Sequence, residues 1–401
     1  MNAPARSPDA FRLPDGRALS VFLIAGEPSG DALGADLMRA LTKRAGAMRF
    51  AGVGGPAMEA QGLKSLLPLS EIAVMGILPV LRRLPYLIAS IRMVARAVIA
   101  ARPDVLVIID SPDFTHRVAR RVRGARPDLP IVNYVGPSVW AWRPGRARRM
   151  RAYLDHVLAL LPFEPAAYAR LGGPACTYVS HPLVGQIAAL RPSAEDLRLQ
   201  DAMSPTVLVM PGSREAEIRR LMPVFGSAVA LLSETARLDV LLPTLPHLEP
   251  LVRSEAQKWL IKPRIVTDTR EKFAAMKRGR AALIASGTAT LELALAGVPM
   301  VVAYRVSLIE EIVARLMIKV PDLALPNLIL GRTIVPEFLQ RNCTPTRLVA
   351  GLRPLLYGGV ERDAQLAAFR ELDSLMKADR QGSPGQMAAD IIGRIAHRPS
   401  G

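Results

Sequence analysis

The chain has 401 residues, half of them hydrophobic and 22% charged, with a formal charge of +17. This composition supplies large apolar cores and excludes a disordered chain, and at roughly 100–200 residues per domain the length points to two domains. Two distant cysteines, Cys176 and Cys343, and five scattered histidines exclude a disulfide framework and give no zinc-type cluster.

Arginine supplies 44 of the 52 basic residues. Such a field attracts polyanions, whether nucleic acid, anionic lipid head groups or phosphorylated substrates. The longest apolar runs, Ile72–Leu81 and Leu293–Tyr304, fall short of the ~18–20 residues of a spanning helix. Residues 1–18 lack a basic start followed by an apolar core, so they read as a disordered lead-in rather than a secretory signal.

The first predicted strand, Leu19–Ala25, runs into Gly26-Glu27-Pro28-Ser29-Gly30-Asp31 ahead of a helix over Asp31–Arg44. Gly30 permits close backbone approach, and Ser29 sits where a helix start favours an anion. Ser29 or Asp31 also suits an ordinary helix cap. A strand over Arg49–Val53 leads to a second Gly-rich loop, Gly52–Pro56. Residues 66–101 are apolar, interrupted mainly by Arg82, Arg83, Arg92 and Arg96. Such a segment suits a membrane interface with Arg on anionic head groups, or a buried helix with surface Arg.

The strand Val105–Ile109 ends in Asp110-Ser111-Pro112-Asp113. A carboxylate where an apolar strand meets a loop is partly desolvated, which raises its pKa and suits it to general-base work. The strand Ile131–Val135 leads to Trp140 and Trp142 and then to Arg143, Arg146, Arg148, Arg149 and Arg151. Aromatic rings beside guanidinium groups suit a base, a sugar or a phosphate; a solvated basic face with core tryptophans fits the same residues. A strand over His156–Leu160 closes the first series.

After a polar stretch near 191–205 the rhythm resumes with Thr206–Met210, Leu238–Leu242, Arg264–Val266, Ala281–Ala285 and Met300–Ala303. Thr206–Met210 ends in Gly212-Ser213-Arg214, a helix start with one Arg that suits a diphosphate. Ala281–Ala285 ends in Ser286-Gly287-Thr288, with Glu292 one turn into the next helix and placed to accept ribose hydroxyls. Both loops also suit N-caps. Strands apolar on both faces and separated by helices define an α/β chain with two Rossmann-like doubly wound domains. Residues 346–397 read as three amphipathic helices. No Asp-x-Asp pair and no GxxxxGK[ST] loop occurs, so leaving-group charge falls to helix N-termini and Arg rather than to a metal bridge or a P-loop.

The segments AGEPSGD (25–31), GVGGPAMEAQG (52–62), VMGI (74–77), IDSPDF (109–114), YVGPSVWAWR (134–143), LPFE (161–164), PGSREAE (211–217), SGTATLE (286–292), PMVVAYR (299–305) and LPNLILGR (325–332) together resemble the lipid-A-disaccharide synthases. The resemblance covers roughly residues 19–375. It implies a B-type glycosyltransferase fold (GT-B) whose two domains face across a cleft. An acceptor and membrane-facing domain would span 19–190 and a UDP-sugar domain 191–360, with helices over 361–401 packing back on the first. It implies inverting transfer from a UDP-2,3-diacylglucosamine donor to 2,3-diacylglucosamine 1-phosphate (lipid X), without metal or other cofactor. The setting would be an anionic membrane surface, the cytoplasmic face of the inner membrane, and the chain would form a homodimer.

On that resemblance Asp110 is the base and Arg214 meets the departing UDP with Gly212 and Ser213. Ser286, Gly287 and Thr288 lie near the phosphates, Glu292 holds the ribose, Asn327 contacts the nucleotide, and Ser29 and Gly30 line the cleft. Two other readings fit the residues. One keeps the fold but makes the chain a UDP-sugar epimerase or a peptidoglycan-lipid transferase. The other is an Arg-rich nucleic-acid-binding protein, which the lack of a helix-turn-helix, RRM or zinc-finger pattern disfavours; nucleic acid is therefore not an expected partner.

Overall fold

The computed structural model describes residues 17–45, 48–72, 77–202, 204–235, 237–307, 310–312, 317, 320–377 and 382–397. Most of the lead-in and most of the Val74–Ile77 motif fall outside these residues. Arg17, at the end of the expected lead-in, donates to both oxygens of Asp104. The chain forms two compact units, one of Met1–His181 with Ala378–Gly401 and one of Pro182–Lys377.

The first unit holds β1 (Ser20–Ala25), β2 (Arg49–Val53), β3 (Val105–Ile109), β4 (Ile131–Tyr134), β5 (His156–Ala159) and β6 (Ala175–Tyr178). All are parallel, in the order β2-β1-β3-β4-β5-β6. Side chains alternate across the sheet with the period of two that a strand imposes. Val21, Leu23, Val105 and Val107 face the helices α1 (Pro28–Ala45) and α12 (Pro384–Ala396). Phe22, Ile24, Leu106 and Ile108 face α2 (Ile77–Ala101) and α3 (Pro112–Ala125). Two shorter helices follow, α4 (Gly145–Met150) and α5 (Glu164–Arg170).

The second unit holds β7 (Thr206–Met210), β8 (Asp239–Pro243), β9 (Arg264–Val266), β10 (Ala281–Ala285), β11 (Met300–Tyr304) and β12 (Glu337–Leu339). They lie parallel in the order β12-β11-β10-β7-β8-β9. Its helices include α6 (Glu215–Ser233), α7 (Thr269–Arg278), α8 (Ala289–Ala296), α9 (Leu325–Leu330), α10 (Pro345–Tyr357) and α11 (Val360–Met376). Both strand orders reverse direction at one place, between β1 and β3 and between β7 and β10. In doubly wound sheets ligands sit beyond the carboxyl ends of the strands at that reversal.

The boundaries differ from the expected 190/191 and 360/361. Leu190 is fully buried, and Arg191 donates to the Leu295 carbonyl and pairs with Asp373. These contacts tie the stretch after His181 into the second unit. Helix α11 belongs there too: the Gln365 amide accepts from Met300 N–H and donates to its carbonyl, and Arg362 donates to the Arg280 and Leu355 carbonyls. Helix α12 belongs to the first unit and packs on α1. Ser383 caps it in a reciprocal capping box, and Asp36 of α1 accepts from Gly385 N–H at 3.0 Å.

Helix α2 contains a stretch, Arg83–Ala101, long and apolar enough to cross a membrane by length and composition, although Arg92 and Arg96 break its uninterrupted runs. Ile91, Val94, Ala95 and Val98 are buried against the first sheet, as in a core helix, while Leu84, Tyr86 and Met93 are exposed.

Candidate active site

At the reversal in the first sheet the chain leaves β3 through two consecutive non-glycine residues in left-handed conformation, Asp110 at φ 50° and Ser111 at φ 44°. Each costs about 1–2 kcal/mol relative to a right-handed residue. The conformation is held from three sides. Asp110 N–H donates to the Tyr134 carbonyl at 3.0 Å, and Thr115 Oγ1 donates to the Asp110 carbonyl at 2.7 Å. From β1, Gly26 lies so close that a Cβ there would stand 2.2 Å from the Ser111 Cβ. Only glycine allows the two loops to touch.

The Asp110 carboxylate is half-buried. Desolvation pushes its pKa above the ordinary value, against the lowering effect of Ser111 N–H, which donates to its Oδ1 at 2.7 Å. Ser29 is exposed in the first turn of α1. Gly30 is buried there, and a Cβ at that position would meet the Ile109 carbonyl at an ordinary contact of 3.4 Å. Asp31 is neither free nor a cap of its own helix. It accepts from Gly55, Ala57 and Met58 N–H groups and so fastens the second Gly-rich loop.

The Trp-containing loop is fixed by a residue that sequence reasoning passed over. Glu164, almost fully buried, accepts from Trp140 Nε1 at 3.1 Å and from Leu161 N–H at 3.0 Å. Burial pushes its pKa up to about 7. The Trp140 ring meets Phe163 edge-on. Tyr168 Oη donates to the Pro137 carbonyl at 2.9 Å.

In the second unit the loops after β7 and β10 lie side by side, because those strands pair directly. Gly212 has φ 118°, and its missing Cβ would fall 2.4 Å from Glu217 Oε2. Glu217, buried one turn into α6, accepts from Ser213 N–H at 3.1 Å and from Arg214 Nη1 at 3.1 Å. Arg214 is the N-cap residue of α6 and its side chain is 63% exposed, so one edge of the guanidinium is anchored and the rest faces outward. Tyr304, at the end of β11, belongs to the same cluster. Burial first, and then the Glu217 charge, raises its pKa. Neither Glu217 nor Tyr304 was singled out from sequence; their place inside PGSREAE and PMVVAYR was the available signal.

After β10, Ser286 Oγ donates to the Leu323 carbonyl at 3.2 Å, Gly287 and Thr288 are exposed, and Thr288 is the N-cap residue of α8 without a side-chain cap bond. Glu292 is half-buried, its Oε2 2.5 Å from Lys272 Nζ of α7, an ion pair outside hydrogen-bond geometry. The Asn327 side chain is engaged within the protein. It is buried, its Nδ2 donates to the Val335 carbonyl and Glu337 Oε1, and its Oδ1 accepts from Ile334 and Val335 N–H groups. Two donors and two acceptor positions are all an amide has. The Asn327 side chain therefore ties α9 to the loop before β12 and to Glu337.

Each unit thus sets one group of polar residues at the reversal of its sheet: Asp110 with the β1 loop in the first, and Arg214 with Ser286, Gly287 and Thr288 in the second. Two Rossmann-like units of this kind define the B-type glycosyltransferase and epimerase class of fold. Among solved structures, S. aureus MnaA with UDP aligns over 93% of this chain and 95% of its own, with TM-score 0.59 and 14% identity. MurG from Acinetobacter baumannii aligns over 94% and 99%, with TM-score 0.55 and 13% identity.

The family model for lipid-A-disaccharide synthetase matches residues 21–391. The lipid-A-disaccharide synthase of Nitrobacter hamburgensis is 53% identical over 95% of this chain and 96% of its own length, and that of Rhodopseudomonas palustris BisB18 is 54% identical over 93% and 94%. The chain belongs to the lipid-A-disaccharide synthase family, hexosyltransferases of lipid A biosynthesis.

Proposed function

We propose that the chain transfers a diacylated glucosaminyl group from its UDP-linked donor to the 6-hydroxyl of 2,3-diacylglucosamine 1-phosphate, releasing UDP. The observation that carries this reading is Asp110, a partly desolvated carboxylate held in a strained turn at the sheet reversal. Its raised pKa brings proton affinity closer to what a general base needs at neutral pH. The carboxylate takes the proton of the acceptor hydroxyl as that oxygen bonds to the donor anomeric carbon. The bond from that carbon to the diphosphate breaks on the opposite face, which inverts the anomeric centre, and UDP departs with the electron pair. Arg214 and the backbone N–H groups at the starts of α6 and α8 meet the charge that develops on the diphosphate. Ser286 and Glu217 hold those loops in place, and Glu292 serves the ribose.

Both substrates carry acyl chains, so the reaction is placed at the cytoplasmic face of the inner membrane. The exposed apolar residues of α2 supply the contact with lipid. Purified protein is to be supplied with both lipid sugars in EDTA, and UDP and lipid products quantified. One UDP per β-1,6-linked disaccharide 1-phosphate is the expected yield. Isomerised donor without an acceptor requirement, or no UDP at all, refutes the reading.

A further inference from the structure

The first unit carries a second feature that the reaction above does not use. Between α3 and α4 lies a cavity of about 460 Å³ walled by Arg117, Arg120, Arg143, Arg146 and Arg149. Asp113 is the one carboxylate in that wall, and it is exposed. Among the described residues none of the five guanidinium groups has a carboxylate partner. Farther along the same stretch, Arg123 and Arg126 are paired with Asp155 and Asp128. Five like charges gathered around one cavity make a positive field that favours an anion there.

Two of the five are set in place beforehand. Arg120 lies over the Tyr153 ring at 4.7 Å and reaches its hydroxyl at 3.3 Å. Arg143 lies over the Trp142 ring at 4.7 Å. Tyr153 is braced in turn by His116, whose Nδ1 is 3.0 Å from the Tyr153 hydroxyl and whose Nε2 is 3.3 Å from Asn133 Nδ2. Burial first, then Arg146 and Arg120, lower the His116 pKa to about 3, so the ring stays neutral and acts as a spacer. A stacked guanidinium gives up less freedom on binding a phosphate than a free one.

A second cavity, about 370 Å³, shares Arg117 and Arg120 with the first and is completed by Ile88 and Ile91 of α2 and by Arg121. A basic chamber beside one with an apolar wall fits a phosphate carried on an acylated molecule better than a free inorganic ion. The basic chamber also begins within the loop of the candidate base, since Asp113 follows Asp110 by three residues and Arg117 lies one turn farther into α3. A hexose bears its anomeric substituent and its 6-hydroxyl on opposite sides of the ring. A holder for the first therefore belongs about a helical turn or two from the base that serves the second, with each turn ~5 Å.

We propose that this arginine-walled cavity binds the phosphomonoester of the acceptor, a deepening that rests on the reaction given under Proposed function. The doubly charged phosphate takes charge-assisted bonds from Arg117, Arg146 and Arg149, with Arg120 and Arg143 held ready by their rings. It thereby fixes which end of the sugar reaches Asp110. The same chemistry is carried by bilayer head groups, and the test separates the two sources.

Transfer is to be measured for wild type, Arg117→Gln, Arg146→Gln and the double variant, each with the acceptor and with the same acceptor lacking its phosphate. These side chains are at least partly exposed and unpaired, so the variants should fold, which circular dichroism checks. Wild type should prefer the phosphorylated acceptor by at least about tenfold in kcat/KM, the scale of a charge-assisted hydrogen bond. The double variant should lose that preference, with the rise in KM falling on the acceptor. An equal preference in wild type and double variant overturns the proposal. So does loss of binding to phosphatidylethanolamine–phosphatidylglycerol vesicles with the preference intact, which gives the cavity to head groups. Glucosamine 1-phosphate titrated calorimetrically provides the independent arm, with binding by wild type and none by the double variant as the supporting result. If wild type joins neither acceptor to donor, the reaction reading fails. That calorimetric difference would still support the cavity as a phosphate site, and its absence would overturn the cavity as well.

Discussion

Asp110 was legible in the sequence because an apolar strand running straight into a carboxylate forces partial desolvation wherever the strand is central. Glu164 and Glu217 were not legible. Glu164 is received in part by Trp140, 24 residues away, and Glu217 by Ser213 and Arg214 just before its own helix, where an acidic residue in a first turn reads equally well as a solvated one. The side-chain bonds of Asn327 were not legible either, since three of the four run to Ile334 and Val335 in the loop before β12 and the fourth to Glu337. Two outcomes belong to this scale. Arg214→Ala should lower kcat/KM by an amount worth about 2–4 kcal/mol, as for removal of a preorganised donor; an unchanged kcat/KM removes Arg214 from the leaving-group role. Glu164 gives a stability signature. Its folded pKa of about 7 exceeds the ordinary 4.5, so its contribution to stability is fully present below pH 4.5 and is lost as pH rises to about 7. Relative to Glu164→Gln, the wild type should lose up to about 3 kcal/mol across that window in urea unfolding. Parallel curves for the two proteins would show that Glu164 does not titrate there.

At the scale of elements, every expected strand forms within a residue or two of its place, because runs such as Val105–Ile109 and Ala281–Ala285 are apolar on both faces. The strands missed, β6 and β12, are sheet-edge pieces of four and three residues, none of them fully buried. They bury too little to leave an apolar run. The Gly-rich loops were legible as loops, but the reason for Gly26 was not, because it lies in Ser111, a residue 85 positions away in the chain. Gly26→Ala should therefore destabilise the first unit by about 1–3 kcal/mol, the usual penalty for overpacking. It should also depress acceptor turnover through the displaced Ser111–Asp110 turn. A fully active, equally stable Gly26→Ala protein would show that the contact does not set the turn.

For the whole molecule, the alternation of strands and helices gave two doubly wound units, and the family match agrees. The unit boundaries were harder to read, because α10, α11 and α12 are all amphipathic and only their tertiary partners divide them. The proposed contact with lipid belongs to this scale. Replacing exposed Leu84, Tyr86 and Met93 with Ser should weaken binding to anionic vesicles several-fold while leaving the fold intact, because each removes apolar area of ~25 cal/mol per Å² of contact. Undiminished vesicle binding would place the lipid contact elsewhere. The central claim is that the Asp110 carboxylate takes the acceptor proton, and single-turnover transfer by wild type and Asp110→Asn tests it most directly. A folded Asp110→Asn protein should bind both substrates yet transfer about 10²–10⁴-fold more slowly. The wild-type rate should also fall as pH drops through a pKa above the ordinary 3.8 of an aspartate. Near-normal transfer by that variant would contradict the claim.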